Sequence, residues 1–256
     1  MGLRRGVRRN LVLLIATLSD VYGEVAMSTF RKRLWWPGYN PPSVMQAVSR
    51  MVKVGDLARE MRKDGELVLR LQAKGGRLLD EAIPLRKFQE KRWDGKWRLV
   101  VFDIPEKQRS NRDALRVKLR ALGFGKWQKS VYVTPHDIMR EVNEYLEGQV
   151  LFPLVVCFES WRTGFGDDRE FADEIFQTEK LNGRYKGLID DVVEVERLLG
   201  EDNLTSHELE QRCRDFWMRY IEIIESDPFL PFELLPKSWN AHEAKVVLRR
   251  LTSRMK

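Results

Sequence analysis

The apolar positions in the first third of the chain recur at helical spacing. Residues 8–22 carry apolar side chains at steps of three and four, which predicts an amphipathic first helix. These side chains are Leu11, Leu14, Ile15, Leu18 and Val21. A second short helix is predicted over residues 25–34, and the Pro-Gly that follows the tryptophan pair would end it.

A third helix is predicted to begin at Pro42 and Ser43 and to end at Gly55. One face is apolar, formed by Val44, Val48, Met51 and Val52. The opposite face carries Ser43, Gln46, Arg50 and Lys53, spaced by three, four and three residues. The helix is therefore expected to pack on one side and to present polar and basic groups on the other.

A hairpin is predicted next, because Asp64-Gly65 lies between an alternating run from Leu57 and a second run ending at Leu71. A closing helix is predicted from Lys74. Three helices followed by a hairpin are typical of a winged helix-turn-helix, in which the third helix enters the major groove and the hairpin tip lies along the backbone.

Positive charge is concentrated in this first third of the chain. Residues 1–92 contain 19 Lys and Arg against 9 Asp and Glu, whereas the remaining 164 residues have a net charge of −3. This asymmetry indicates that the first third binds a polyanion. Gln46 and Arg50 are predicted to reach base edges. The predicted phosphate contacts are Arg31, Lys32, Arg33, Lys53, Arg62 and Lys63. A solvated face without a ligand is the alternative.

Composition places the chain among ordinary globular proteins, with 256 residues, 43% hydrophobic and 32% charged. The cysteines, Cys157 and Cys213, form neither a C-x-x-C pair nor a disulfide framework, so a reducing cytoplasm is expected. The apolar run at residues 11–16 follows arginines but is too short to cross a bilayer, which takes roughly 20 residues. No membrane association and no cofactor are expected.

The middle of the chain is predicted to be an α/β unit. Residues 99–104 form a short apolar run typical of a buried strand, followed by a helix from Ser110. Further elements are a strand at 130–134, a helix at 137–146 and a strand at 150–158. This pattern is one strand short of a ferredoxin-like unit, and the missing strand is placed near residues 124–129.

Specific motifs in this unit resemble a known family. Trp93-Asp-Gly-Lys-Trp-Arg-Leu-Val-Val-Phe-Asp-Ile-Pro-Glu, Arg112-Asp-x-Leu-Arg and Leu122-Gly-Phe-Gly are similar to the central domain of the PaaX transcriptional repressors. That domain is itself similar to the small ferredoxin-fold subunit of the CRISPR spacer-acquisition complex, whose Gln-x-Ser-Val-aromatic strand resembles the segment beginning at Gln128. The resemblance implies an operator-binding winged helix, a dimerising middle domain, and release of DNA by an acyl-CoA, phenylacetyl-CoA in the founding members. It matches no effector-binding motif to particular residues.

The last third is acidic, with 14 basic against 20 acidic residues over 167–256, and its aromatic stripes at helical spacing predict core helices. The segment Asp227-Pro-Phe-Leu-Pro-Phe-Glu-Leu-Leu-Pro-Lys-Ser-Trp resembles the closing signature of the same family. The family follows this tryptophan with Pro-Gly, whereas this chain has Asn240-Ala241, so its final helix is expected to begin differently.

Asp103, at the end of the first middle strand, supports two hypotheses. In the CRISPR family the matching aspartate lies near the dimer two-fold, where two copies can share a divalent metal for nuclease chemistry. The alternative is a structural acid that caps a turn. With Glu106 as the nearest helper and no adjacent histidine, metal-dependent cleavage by Asp103 is the less favoured function.

The sequence thus predicts an α+β multidomain protein. Residues 1–82 form a winged helix, 83–92 a linker, 93–165 a ferredoxin-like dimerisation domain, and 166–256 a C-terminal mainly helical domain. The predicted function is a homodimeric regulator, a repressor rather than an enzyme, that binds a double-stranded operator and is released by a small molecule such as an acyl-CoA. A DNA-binding adaptor without a ligand is a further alternative.

Overall fold

The structure is a computed structural model that describes residues 2–18, 24–27, 41–89, 91–149, 151–162 and 166–254. The chain divides into two compact units. Unit 1 comprises Met1–Pro84, Leu181–Asp227 and Trp239–Lys256, and unit 2 comprises Leu85–Lys180 and Pro228–Ser238. The first and last thirds of the chain therefore share a unit. The three-part boundaries from the sequence remain a prediction.

The N-terminal part of unit 1 alternates helices with a small antiparallel sheet. Its elements are α1 (Gly2–Leu18), β1 (Glu24–Ala26), α2 (Pro41–Lys53), β2 (Leu57–Met61), β3 (Leu67–Leu71) and α3 (Ala73–Ala82). The strand order is β1-β3-β2. The predicted hairpin is confirmed, because β2 pairs with β3 from Leu57 opposite Leu71 to Met61 opposite Leu67. Gly65 turns it with φ of 82°.

The helix predicted from Val25 is wrong at its start. Val25 lies in β1 and pairs with Leu69 of β3, and its β-branched side chain is buried. Pairing with the free edge of β3 stabilises an extended segment that helical spacing alone did not reveal. The rest of that predicted helix falls in residues 28–40, outside the described residues.

The C-terminal helices of unit 1 are α8 (Thr178–Gly200), α9 (Ser206–Ser226) and α10 (Ala241–Ser253). The aromatic stripe predicted from spacing is core, with Tyr185, Phe216 and Trp217 all buried. The Tyr185 hydroxyl donates to the Asp227 carboxylate over 2.9 Å, and both side chains are buried. The aspartate that opens the closing signature thus satisfies a buried hydroxyl, which is a structural role.

Unit 2 contains a β-α-β-β-α-β succession. It runs through α4 (Arg86–Gln89), β4 (Trp97–Phe102), α5 (Arg109–Ala121), β5 (Gly125–Gln128), β6 (Val131–Thr134), α6 (Met139–Gln149), β7 (Val155–Ser160) and α7 (Asp168–Phe176). All neighbouring strands are antiparallel in the order β5-β6-β4-β7. The strand placed near residues 124–129 is confirmed as β5. The molecule is therefore an α+β protein with two antiparallel sheets.

One face of the unit 2 sheet is covered by α5 and α6. The core there includes Val100, Phe102, Leu115, Leu119, Tyr132, Val142 and Leu146. The second part of the closing signature also belongs to this unit. The ring Nε2 of buried His136 lies 3.0 Å from the Pro228 carbonyl, and Arg169 donates to the Glu233 carbonyl over 2.9 Å. None of the helices in the described ranges is long and apolar enough to cross a membrane.

Candidate nucleic-acid interface

Helix α2 presents the predicted polar row to solvent. Val44, Val48 and Met51 are buried. The side chains of Ser43, Gln46, Arg50 and Lys53 are all exposed. The helix contains no acidic residue, and among the described residues neither Arg50 nor Lys53 makes an ion pair. Arg50 and Lys53 therefore present cationic donors to solvent without an acidic partner in the described part of the chain, and the role of the row in reading DNA remains a prediction.

The C-terminal end of α2 is anchored by a buried carboxylate. Asp56 is 0% exposed, and Arg8 of α1 donates to both of its oxygens over 2.7 Å. These hydrogen bonds raise the pKa of Arg8. The Asp56 N–H also donates to the Met51 carbonyl over 2.9 Å. A bidentate pair of this kind fixes direction as well as distance, so α1 holds the end of α2 in one orientation.

Arg50 lies back along its own helix. Its Nε donates to the Gln46 carbonyl over 3.3 Å, and the side chain is exposed. A single long hydrogen bond at the surface costs little to break. The guanidinium can therefore leave the helix surface and offer its donors to a base edge or a phosphate.

The hairpin tip differs from the prediction in its charge. Arg62 donates to Asp64 over 2.9 Å and to Glu66 over 2.7 Å. The hydrogen bond from Arg62 lowers the pKa of Asp64. Arg62 and Lys63 are exposed, but two carboxylates lie within the same turn. The charges of Arg62, Lys63, Asp64 and Glu66 therefore sum to zero, and Arg62 already has partners.

One of the predicted groups lies outside the described residues, and a further cation that was not predicted contacts the end of α2. Arg31, Lys32 and Arg33 lie outside the described residues, so their contribution stays a prediction. Lys74 was passed over as a DNA contact, although its Nζ donates to the Val54 carbonyl over 3.0 Å, beside Lys53 at the end of α2. A cation is favourable where helix carbonyls are unpaired. The signal was the lysine at the start of the closing helix, but its position required the tertiary contact.

Asp103 is exposed at the end of β4, and its backbone N–H donates to the Leu154 carbonyl over 3.0 Å. The helper considered for it is engaged elsewhere, because Glu106 accepts from Arg112 over 2.7 Å. That hydrogen bond lowers the pKa of Glu106. Among the described residues no three His, Cys, Asp or Glu side chains gather as metal ligands.

The uncovered face of the unit 2 sheet has an apolar strip. Val101 lies opposite Val131 and Val156 in neighbouring strands, and Phe158 follows on the same face of β7. Val156 is 54% exposed and Phe158 51% exposed. Exposed apolar strips of this kind are sites of interaction with another molecule more often than the rest of a protein surface is.

The other end of that face holds a cavity of about 400 Å³ lined by Trp97, Trp127, Trp161, Phe171 and Arg162. Trp97 and Trp127 meet Phe171 edge to face, with ring centroids 5.0 and 5.4 Å apart. The volume and the aromatic walls fall within the range of small-molecule pockets.

The Trp93–Arg98 motif builds one wall of this region. Arg98 is only 2% exposed, and its guanidinium pairs with Asp94 at 2.5 Å and with Glu159 at 3.1 Å. It also donates to the Pro135 carbonyl over 3.0 Å. Because a buried guanidinium is costly unless its donors are paired, these partners stabilise Arg98 inside the unit.

Comparison with known proteins gives the family. Residues 90–172 match the model of the PaaX protein central Cas2-like domain, and residues 176–256 match that of the PaaX-like protein C-terminal domain. The chain is 27% identical over 240 residues to "Transcriptional repressor PaaX" of Escherichia coli (strain K12), covering 90% of this chain and 73% of that protein. The uncharacterized protein Rv0674 from Mycobacterium tuberculosis shares the fold, with a TM-score of 0.56 and 18% identity over 95% of this chain and 94% of its own. The chain belongs to the PaaX family, because both domain models match it in order and a PaaX repressor is similar to it over 90% of its length.

Proposed function

We propose that this protein is a homodimeric, sequence-specific DNA-binding repressor of transcription. The observation that carries the proposal is the exposed row Gln46, Arg50 and Lys53 on an acid-free helix that is followed by a hairpin. Its family membership and the name of its E. coli relative, a transcriptional repressor, support the same function. Arg50 and Gln46 read base edges, while Lys53 and the basic groups around it contact phosphates.

The winged helix-turn-helix is the interpretation that best fits the N-terminal part of unit 1. The helix that carries the exposed row is followed by the β2–β3 hairpin, and β1, which precedes that helix, completes a three-stranded antiparallel sheet. In this arrangement α2 is the recognition helix and the β2–β3 turn is the wing. The Arg8–Asp56 pair supports the assignment, because a helix that reads bases has to be held in a defined orientation.

The dimer surface is assigned to the apolar strip of unit 2, formed by Val101, Val131, Val156 and Phe158. The β-α-β-β-α-β succession with strand order β5-β6-β4-β7 supports a ferredoxin-like middle domain. A two-fold contact between two such strips buries the same residues from each copy. Such a dimer contains two recognition helices, which read the two half-sites of a palindromic operator.

Release of the operator is assigned to a small-molecule effector such as an acyl-CoA. The aromatic pocket in unit 2 supports a bound ligand with a flat apolar group. An effector shifts the equilibrium only when it binds the non-binding conformation more tightly. Titration of phenylacetyl-CoA into the protein–operator complex tests this step, and an unchanged complex at saturating ligand argues against this effector.

The function itself is tested by protection of DNA. The full-length protein is incubated with the region upstream of its own gene and digested with a nuclease, with a shuffled sequence of equal composition as the control. We expect a protected palindrome whose half-sites lie about one helical turn, or a multiple of one, apart. Equal affinity for the shuffled DNA at physiological salt would overturn sequence-specific binding.

The dimer has its own test. Val156→Lys and Phe158→Lys place charges on the apolar strip, and sedimentation is expected to show monomers. The matched control is Val193→Lys, a 48% exposed valine of α8 in unit 1, which is expected to leave the dimer intact. Dimers of unchanged stability in the strip variants would move the interface elsewhere.

A further inference from the structure

The groove between α1 and α3 is a second charged feature of unit 1, apart from the α2 row. It has a volume of about 690 Å³, within the range of small-molecule sites. Four cations line it, from Arg8 and Arg9 on α1 and from Lys74 and Arg77 on α3, against one acid, Glu81. We propose that this groove binds a small molecule through a di- or triphosphate-type group, and that its occupancy weakens the binding of DNA by α2.

Two cations of the groove, Arg8 and Arg9, are held in place by ion pairs. Arg8 uses its Nε and one terminal nitrogen on the buried Asp56 carboxylate, which leaves the other terminal nitrogen for a ligand. Arg9 pairs with Glu225 at 2.5 Å. Arg77 is exposed and has no hydrogen-bond or ion-pair partner among the described residues. The donors available to an anion therefore come from Arg8, Lys74 and Arg77.

The close approach of α3 to the end of α2 positions these donors. A Cβ on Gly75 would lie 2.2 Å from the Asp56 carbonyl oxygen, so only glycine permits the contact. The neighbouring Lys74 then reaches the Val54 carbonyl with one of its three N–H groups. Fixed guanidinium and ammonium groups suit a multiply charged phosphate group, which accepts several charge-assisted hydrogen bonds at once.

The groove is a recess between two helices, and this favours a small molecule over the DNA backbone as its occupant. Its lining also includes the apolar Leu78 and Ala82, which can contact the uncharged part of a ligand. Lys74 donates to the carbonyl of Val54, the residue that follows Lys53 at the end of the α2 row. An anion bound at Lys74 lowers the positive potential at that end of α2, and DNA affinity falls because phosphate contacts depend on that charge.

The effect of the anion on DNA binding rests on the proposed function, but anion binding itself does not. It is therefore measured without DNA, so that the two proposals can fail separately. Inorganic pyrophosphate is titrated calorimetrically into the full-length protein at constant ionic strength, with sulfate as the reference anion. We expect pyrophosphate to bind and to raise the melting temperature by about 3–6 °C at a tenfold excess over its dissociation constant. Lys74→Ala and Arg77→Gln are each expected to weaken binding at least about tenfold.

Arg212→Ala is the matched control, since Arg212 is an exposed cation of α9 in the same unit but not in the groove, and it is expected to bind pyrophosphate as the parent does. Arg77→Gln removes no hydrogen bond of the described structure, so a folded Arg77→Gln protein with parental affinity for pyrophosphate overturns the proposal. If the groove variants lose DNA binding while pyrophosphate binds none of the proteins, the groove is part of the DNA surface and the proposal also fails.

Discussion

The exposed row on α2 and the tip of the β2–β3 hairpin contain the same kinds of basic residue, but only the tip also contains acidic side chains that pair with them. On α2, Arg50 and Lys53 have no acidic neighbour on their own helix. At the hairpin tip, Arg62 is shared by Asp64 and Glu66. Affinity for a polyanion depends on cations that can neutralise phosphates, and a paired cation must first lose its partners. The α2 row is therefore expected to dominate DNA binding.

The largest expected effect is a loss of protein stability on removal of the Arg8–Asp56 ion pair, which holds the end of α2. Arg8→Ala leaves the buried Asp56 carboxylate unpaired, and the expected loss of folding free energy is about 2 kcal/mol, below the range for fully buried pairs because Arg8 is 40% exposed. Chemical denaturation followed by circular dichroism measures it.

The control for this anchor is Arg59→Ala, an exposed cation on β2 that is expected to change stability little. Adding Asp56→Asn to Arg8→Ala should recover part of the loss, since it removes the unpaired buried charge. Simple additivity of the two changes would show that the pair does not anchor α2.

Arg50→Ala is expected to have the next largest effect, on DNA binding alone. Loss of a guanidinium that reads a base edge costs about 1–3 kcal/mol, which is roughly five- to 150-fold in operator affinity, and it relaxes selection at one base pair. Fluorescence anisotropy with operator and single-mismatch duplexes measures both quantities. Ser49→Ala, an exposed neighbour outside the predicted row, is the control. Equal losses in the two variants would contradict the assignment of the row.

Features that depend on residues close together in the sequence could be predicted, and features that depend on residues far apart in the sequence could not. The α2 row and the hairpin follow from local periodicity and from Asp64-Gly65, and both elements are found where they were expected. The strand at Val25 was missed because its pairing partner is 44 residues away, at Leu69. The Arg8–Asp56 pair spans 48 residues and left no local signal.

The ion pairs of the hairpin tip are local in sequence, so they could have been predicted together with the hairpin itself. Asp64 and Glu66 stand two and four residues after Arg62, which is close enough for ion pairs across a tight turn. The predicted phosphate contact of Arg62 stays a prediction, and the structure shows that its charge is shared with two acids. The grouping of the C-terminal helices with the N-terminal part in one unit, by contrast, depends on packing between distant segments that no sequence pattern displays.

Removing the acids at the hairpin tip is expected to strengthen DNA binding, whereas removing its basic residues is expected to weaken it. Asp64→Asn with Glu66→Gln frees Arg62 and removes like charge from the DNA side, so non-specific affinity is expected to rise severalfold while operator selection stays the same. Binding to random duplex DNA over a range of salt concentrations measures this. Glu201→Gln, in an acid that pairs with Arg197 in the C-terminal part of unit 1, is the control. An unchanged affinity in the double variant would place the tip away from DNA.

The smallest effects distinguish the two cations of the tip. Lys63 is exposed and has no acidic partner among the described residues, so Lys63→Ala should lower the slope of log affinity against log salt by about one, as the loss of one phosphate contact does. Arg62→Ala should change the slope less, because the same substitution releases two carboxylates whose repulsion of DNA offsets part of the lost attraction. A larger decrease of the slope in Arg62→Ala than in Lys63→Ala would mean that DNA displaces the two acids from Arg62. The ion pairs of the free protein would then not determine how much Arg62 contributes to DNA binding.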